Sequence, residues 1–200
     1  MGKRHRTFIA INLPEEIKRE LFSYSEKWQK LQAKWTVKDN LHITLEFLGN
    51  LTDGEIGEVC MVAKEVAERQ RCFSLDIAQV VYGPTEVIAP QSVANPNAKP
   101  PRMIWAVGEK SKELSALRQE LETALTGRVS FIPENRTLAP HITLARISAW
   151  AWKQIEPEER PEINENIDLL FTVESIEVME SVLKRGGPQY TILESHNLKI

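Results

Sequence analysis

The chain has 200 residues, of which 42% are hydrophobic and 26% are charged. This composition predicts one globular domain over residues 1–200 and argues against global disorder. The formal net charge of −3 argues against a protein that holds long nucleic acid through many phosphates, because such domains are usually basic. A small nucleotide or a single RNA end remains compatible with that charge.

Cysteine usage and hydropathy indicate the cellular setting. Cys60 and Cys72 are the only cysteines, and their spacing matches no zinc or redox motif, so a reducing compartment is expected. The apolar run after the basic residues 3–6 is too short for a signal peptide, and no apolar run could cross a membrane. We therefore expect a cytoplasmic protein with no membrane partner, and we expect a monomer.

The first half of the chain begins with a predicted strand over residues 7–13. Pro14 then opens a helix, since proline suits the first helical position. The apolar residues of this helix recur at helical spacing and predict one packed face: Ile17, Leu21, Trp28 and Leu31. A second strand is predicted over residues 42–48.

A second helix and a third strand complete this half. Thr52 and Glu55 have the spacing of a capping box, which begins the helix. Residues 73–82 alternate between apolar and polar, as a strand does. Residues 83–102 contain five prolines and predict a loop that divides the two halves of the chain.

The second half repeats the order strand, helix, connection, strand. A strand over residues 103–108 comes first, and the interval from Ile104 to His141 is 37 residues. The equivalent interval in the first half, from Ile9 to His42, is 33 residues. The nearly constant length predicts duplicated halves that face each other across a pseudo-twofold axis.

The end of the chain predicts two further strands after a polar, acidic stretch. Residues 171–180 alternate strongly, and a turn over residues 186–188 leads into a last strand that begins with residues 190–193 and continues past His196. Antiparallel strands with helices on their outer faces make the predicted fold class α+β.

One tetrapeptide, His-Ile-Thr-Leu, occurs twice, at residues 42–45 and 141–144. Chance alone predicts about 0.2 His-x-Thr triplets in this composition. In a strand, residues two apart point the same way, so the histidine and threonine of each motif share a face. Two imidazoles suit acid–base chemistry near neutral pH, and two hydroxyls can donate to phosphate oxygens. No metal or other cofactor is expected, because neither motif adds the histidine, carboxylate or cysteine ligands of a strand metal site.

These motifs and their surroundings resemble the 2H phosphoesterases, and within them the RNA 2′,3′-cyclic phosphodiesterase group, also called 2′-5′ RNA ligases. The likeness covers almost the whole chain and rests on four stretches: residues 7–11 (TFIAI), 40–49 (NLHITLEFLG), 140–146 (PHITLAR) and 187–190 (GPQY). It implies a bilobal, pseudo-twofold α+β fold in which two antiparallel sheets line a central cleft and helices lie outside.

The resemblance also implies an activity and its residues. His42 and His141 would act as general base and general acid, and Thr44 and Thr143 would hydrogen-bond the phosphate. The implied reaction is metal-independent hydrolysis of RNA or nucleoside 2′,3′-cyclic phosphates to 2′-phosphates. The implied partners are RNA ends that carry the cyclic phosphate, or cyclic nucleotides.

Two further positions follow from the resemblance. Arg146 would hold phosphate charge, and Phe47, its symmetry mate, would stack on a base. Strand alternation places both on the face opposite the histidines, so they reach the cleft only if each strand ends, twists or bulges there. Glu46 shares the predicted face of His42 and would either tune the pKa of that histidine or face solvent at the cleft rim.

Two other functions remain open at this point. The same histidines could run 2′-5′ RNA ligation or 2′-5′ phosphodiester hydrolysis on tRNA halves or oligonucleotides. A non-catalytic module that binds RNA ends is the second alternative, although binding alone needs no pair of acid–base groups. The proline-rich residues 83–102 and the acidic residues 153–168 depart from the family pattern and bear on substrate choice.

Overall fold

The computed structural model describes residues 3–28, 31–84, 100–133 and 139–200. Nine strands are present in this part of the chain: β1 (His5–Asn12), β2 (Ala33–Trp35), β3 (His42–Leu51), β4 (Phe73–Gly83), β5 (Met103–Gly108), β6 (His141–Ile147), β7 (Asn164–Val173), β8 (Ser175–Lys184) and β9 (Gly187–Asn197). The α-helices are α1 (Glu15–Lys27), α2 (Asp53–Ala67), α3 (Lys112–Leu125) and α4 (Ala149–Lys153). Short 3-10 helices cover Lys38–Asn40 and Pro157–Glu159.

The strands form one antiparallel sheet in the order β7-β4-β5-β6-β3-β1-β8-β9, with β2 paired to β6. The order maps onto itself when β1 is exchanged with β5, β3 with β6, β4 with β8 and β7 with β9. The predicted α+β class with duplicated, pseudo-twofold halves is therefore confirmed. The sheets of the two halves are joined into one through β3 and β6, where Ile43 pairs with Ile142.

The chain crosses between the two halves of the sheet twice. After α2 it enters the second half, because β4 pairs with β5 and β7. The prediction that residues 83–102 divide the halves is therefore wrong: β4 already lies in the second half, and residues 85–99 of that segment lie outside the described residues. Alternation along the sequence identifies a strand but carries no information about its partner.

The return crossing lies between β7 and β8. Val173 ends β7 and Ser175 begins β8, although five strands separate β7 from β8 in the sheet. In a flat sheet those strands would lie about 29 Å apart at the usual spacing. The sheet must therefore curl so that its two ends approach each other. The single strand predicted over residues 171–180 is wrong, because the alternation runs on through this crossing without a glycine or proline.

Helices and strands share one core on the face of the sheet that carries Ile43 and Ile142, both fully buried. The predicted capping box of α2 is present, with Thr52 and Glu55 bonded reciprocally. Helix α1 ends at Lys27, so Trp28 and Leu31, predicted on it, follow it instead. The apolar positions of α3 are completely buried: Leu114, Leu117, Leu121 and Leu125. No helix within the described residues is long and apolar enough to cross a membrane.

Candidate active site

The opposite face of β3 and β6 opens into a cavity of about 610 Å³. All the site residues expected from the sequence line it: His42, Thr44, Phe47, His141, Thr143 and Arg146. The antiparallel Ile43–Ile142 pair sets their arrangement, because it places His42 beside Thr143 and Thr44 beside His141. The two histidines then occupy diagonal positions, where residues lie about 7–8 Å apart. Such a separation leaves room for a phosphate between the rings.

A β-bulge in each motif strand explains how Phe47 and Arg146 reach this cavity. In β3, Thr44 and Glu46 pair with consecutive residues of β1, so Leu45 is an extra residue. In β6, Leu144 is extra in the same way, opposite β5. A bulge shifts the alternation by one residue. The half-exposed Phe47 and exposed Arg146 therefore turn to the histidine face in both halves.

The ring of His42 is held in a defined orientation. Its Nδ1–H donates to the carbonyl oxygen of Asn40 at 2.7 Å, and since a carbonyl only accepts, Nδ1 carries the proton in the neutral ring. Nε2 then accepts from the Thr44 hydroxyl at 3.0 Å. The rings of Phe8 and Tyr190 each lie 5.1 Å from the imidazole, and Tyr190 meets it edge-on at 87°.

Burial in this aromatic niche lowers the pKa of His42 below its ordinary value. Removing the imidazolium from water is the largest cause. The positive charges of Lys18, His141 and Arg146 act in the same direction, while the carbonyl of Asn40 opposes them by favouring the protonated ring. His42 is therefore biased toward the neutral form, which can accept a proton.

His141 makes the same hydrogen bond to a backbone carbonyl, but different side chains surround its ring. Its Nδ1–H donates to the carbonyl oxygen of Ala139 at 3.1 Å, again leaving Nε2 for the cavity. The Trp105 ring lies 4.4 Å from the imidazole. A Cβ added to Gly83 would lie 2.5 Å from that indole, so only glycine at this position of β4 leaves room for Trp105 beside His141.

Comparison with known proteins decides the family of this chain. The family model for LigT-like phosphoesterases matches residues 11–93. An RNA 2′,3′-cyclic phosphodiesterase of Aeropyrum pernix is 32% identical over 160 residues, which cover 79% of this chain and 82% of that protein. This chain belongs to the LigT-like phosphoesterase family. An enzyme of the same description from Aquifex aeolicus is 29% identical over 84% of both chains, and the membership predicted from the paired motifs is confirmed.

Solved structures agree with this assignment. The crystal structure of TT0787 of Thermus thermophilus superimposes with a TM-score of 0.77 at 26% identity, over 97% of this chain and 98% of that one. E. coli LigT complexed with 3′-AMP shares the fold, with a TM-score of 0.73 at 23% identity over 98% of both chains.

Asn40 is a site residue that the sequence reasoning missed. Its buried side chain donates from Nδ2 to the Pro188 carbonyl at 2.7 Å. Its Oδ1 accepts from the Tyr190 N–H at 3.4 Å. One residue thus ties the β8–β9 hairpin to the carbonyl that orients His42. The sequence does carry a signal for this role, which is a difference between the two motifs: the residue two before His42 is asparagine, whereas Ala139 occupies the equivalent place before His141.

Glu46 lies elsewhere than expected. The bulge at Leu45 turns the Glu46 side chain away from the cavity. The Glu46 carboxylate is buried on the core side of the sheet and pairs with Arg118 of α3 at 3.1 Å. Neither expected role, tuning His42 from the same face or facing solvent at the rim, is correct. A strand read with uninterrupted alternation misplaces every residue beyond a bulge.

Metal binding would need a cluster of suitable ligands. Among the described residues, no group of three or more histidine, cysteine, aspartate or glutamate side chains is placed to hold a metal ion.

Proposed function

We propose that this chain is an RNA 2′,3′-cyclic phosphodiesterase that opens the cyclic phosphate of an RNA end to a 2′-phosphate. The observation that carries the proposal is the convergence of both His-x-Thr motifs in one cavity, with each imidazole anchored through Nδ1 so that Nε2 is the nitrogen left for proton transfer. The names of its relatives, RNA 2′,3′-cyclic phosphodiesterases, supply the substrate class.

The lowered pKa of His42 supports one assignment of the two proton transfers, with His42 as the base. Neutral His42 takes a proton from water through Nε2 while the water oxygen forms a bond to phosphorus. As the bond between phosphorus and the 3′ oxygen breaks, His141 in its protonated form donates a proton to that oxygen. His42 gains one proton and His141 loses one, so the total number of protons on the enzyme is unchanged. The two rings return to their starting states by exchanging protons with solvent.

Three side chains would stabilise the charge that gathers on the phosphoryl oxygens. The hydroxyls of Thr44 and Thr143 and the guanidinium of Arg146 can donate on the histidine face, where oriented donors act on the transition state. The Thr44 hydroxyl, which donates to His42 Nε2 in the free protein, would turn to the phosphate when water takes its place at Nε2. Phe47 lies at the symmetry-related edge and offers a ring for the base. Stacking on one aromatic ring is worth about 1–3 kcal/mol per base.

Turnover by histidine variants tests the proposal. Each of His42→Ala and His141→Ala is expected to lower kcat for 2′,3′-cyclic AMP about 10²–10⁴-fold, the usual contribution of a positioned proton-transfer group. EDTA should not reduce the wild-type rate. His5→Ala is the matched control, because His5 pairs with Glu180 and Asp53 and is not among the residues lining the cavity.

Product analysis separates this function from its alternatives. Incubation with tRNA halves and with 2′-5′ oligoadenylate, side by side with the cyclic substrate, would show ligation or 2′-5′ hydrolysis if either dominates. A wild-type rate in either histidine variant would remove that histidine from the mechanism. Tight binding of the cyclic phosphate without product would favour a binding module.

A further inference from the structure

The cavity carries more positive charge than one cyclic phosphate requires. Arg6, Lys34 and Arg146 line it, and no aspartate or glutamate is among the described residues that do. A 2′,3′-cyclic phosphate is a diester with a single negative charge. In a chain of net charge −3, this local excess of cations points to additional anionic groups on the substrate.

Lys34 and Arg146 form an unfavourable pair in the free protein. They are direct partners across β2 and β6, where side chains begin about 5 Å apart and like charges destabilise the sheet. Among the described residues, Lys34 has no ion pair or side-chain hydrogen bond, and Arg146 has only a long contact with the Met103 sulfur, 3.7 Å. An anion between the two cations would relieve the repulsion.

The Lys34 side chain also extends toward the opposite wall of the cavity. A Cβ added to Gly187 in the β8–β9 hairpin would lie 3.0 Å from the Lys34 ammonium nitrogen. Lys34 starts from β2, which pairs with the second half of the sheet, and its ammonium ends beside a hairpin of the first half. The charge therefore lies beside the β8–β9 hairpin, on the opposite wall of the cavity from the strand that carries Lys34.

We propose that Lys34, with Arg146 beside it, forms a second phosphate subsite that binds the internucleotide phosphate on the 5′ side of the cyclic phosphate. The subsite rests on the proposed function, since it extends the same cleft. It makes an RNA end with at least one internucleotide phosphate the preferred substrate class over a cyclic mononucleotide. Arg146 lies between the two phosphates and can donate to both.

Two substrates that differ by one phosphate test the subsite. The first is 2′,3′-cyclic AMP, and the second is the dinucleotide ApA ending in a 2′,3′-cyclic phosphate. We expect wild-type kcat/KM to be about tenfold higher for the dinucleotide, and Lys34→Gln to reduce this ratio to within about twofold of unity. The dinucleotide should also show a steeper salt dependence, by about 0.7 in the logarithmic slope for one extra single-strand phosphate contact; Lys34→Gln should remove that difference.

Two control variants support the interpretation. Lys34→Arg keeps the charge and should retain most of the discrimination. Lys112→Gln makes the same change in the first turn of α3, outside the cavity lining, and should leave the ratio as in the wild type. The thermal unfolding midpoint of Lys34→Gln should not be lower than that of the wild type, because the substitution removes one partner of a like-charge pair.

Three results would overturn the subsite. They are a wild-type ratio in Lys34→Gln, an equal fall on both substrates, or a loss in Lys34→Arg as large as in Lys34→Gln. If the wild-type protein turns over neither substrate, the proposed function itself fails, which is a separate result from an unchanged ratio.

Discussion

The two motif strands begin with the same four residues and share a bulge, but their surroundings differ. Both His-Ile-Thr-Leu segments bulge at the leucine, and both histidines donate Nδ1–H to the carbonyl two residues earlier. His42 nevertheless lies in a niche of Phe8 and Tyr190, whereas His141 lies over Trp105. The duplicated backbone places two equivalent imidazoles, and the unequal walls allow them to take unequal roles.

The difference begins at a single position in each half. Asn40 bonds the β8–β9 hairpin and so brings Tyr190 against His42. Ala139, its counterpart, has no side chain that could hold a hairpin. Burial then lowers the pKa of His42, which suits a base, and acid–base catalysis requires that the two groups hold opposite protonation states at the same pH.

A substrate with a better leaving group should separate the two roles most strongly. When sulfur replaces the 3′ bridging oxygen of 2′,3′-cyclic AMP, the leaving thiolate needs no proton. We expect His141→Ala to lose about 10²–10⁴-fold on the oxygen substrate but to approach the wild-type rate on the sulfur substrate. His42→Ala should remain impaired on both, and single-turnover rates measure the comparison.

The reverse pattern, with rescue of His42→Ala alone, would exchange the assignments of base and acid. Equal rescue of both variants would show that neither ring is committed to one role, contrary to the difference between their surroundings. A free-thiol assay of the product confirms that the bond to the 3′ position is the one that breaks.

Asn40→Ala should make the first half resemble the second. The change leaves the Pro188 carbonyl and the Tyr190 N–H without their buried partner, and such losses cost about 1–3 kcal/mol. A looser hairpin admits water to His42, so the pKa of that ring should rise toward its ordinary value. The acid limb of the kcat/KM profile should then move to higher pH. We expect about a tenfold loss of kcat/KM near neutral pH, measured together with urea denaturation.

Asn50→Ala is the matched control for that variant. Asn50 lies near the end of β3, the strand that carries His42; it is exposed, and its backbone carbonyl accepts a hydrogen bond from Arg4. Stability loss in Asn40→Ala without any movement of the pH profile would assign Asn40 to folding alone. A shifted profile shows that it positions the hairpin against His42.

Much of this site followed from local pattern in the sequence, and the exceptions have physical causes. The spacing of histidine and threonine in a strand was enough to place His42, Thr44, His141 and Thr143 in one cleft. The bulge at Leu45 could not be read from alternation, because the extra residue is an ordinary leucine and its cause is pairing with β1. For that reason alternation alone places Phe47 on the face opposite His42, whereas the structure places it in the lining of the cavity.

Long-range pairing was the other element beyond the reach of the sequence. Strand β4 was identified from its alternation, but only tertiary contacts place it beside β5 and β7 rather than in the first half. The same holds for the crossing at Glu174, where one residue suffices because the sheet curls. Local propensity determines which segments become strands, and burial across the whole sheet determines their neighbours.

The smallest expected effect concerns stability rather than catalysis. Because the pKa of His42 is lowered in the folded protein, the unfolded chain binds a proton at this residue at a pH where the folded chain does not. Stability should therefore fall as the pH drops below about 6.5, the pKa of a free histidine, and the loss should stop once the folded pKa is passed. One such group changes the free energy of unfolding by at most about 1.4 kcal/mol per pH unit. The stability of His42→Gln, measured by urea denaturation between pH 7.5 and pH 5, should fall less steeply than that of the wild type, whereas parallel curves would show that the niche of Phe8 and Tyr190 does not disfavour the charged ring.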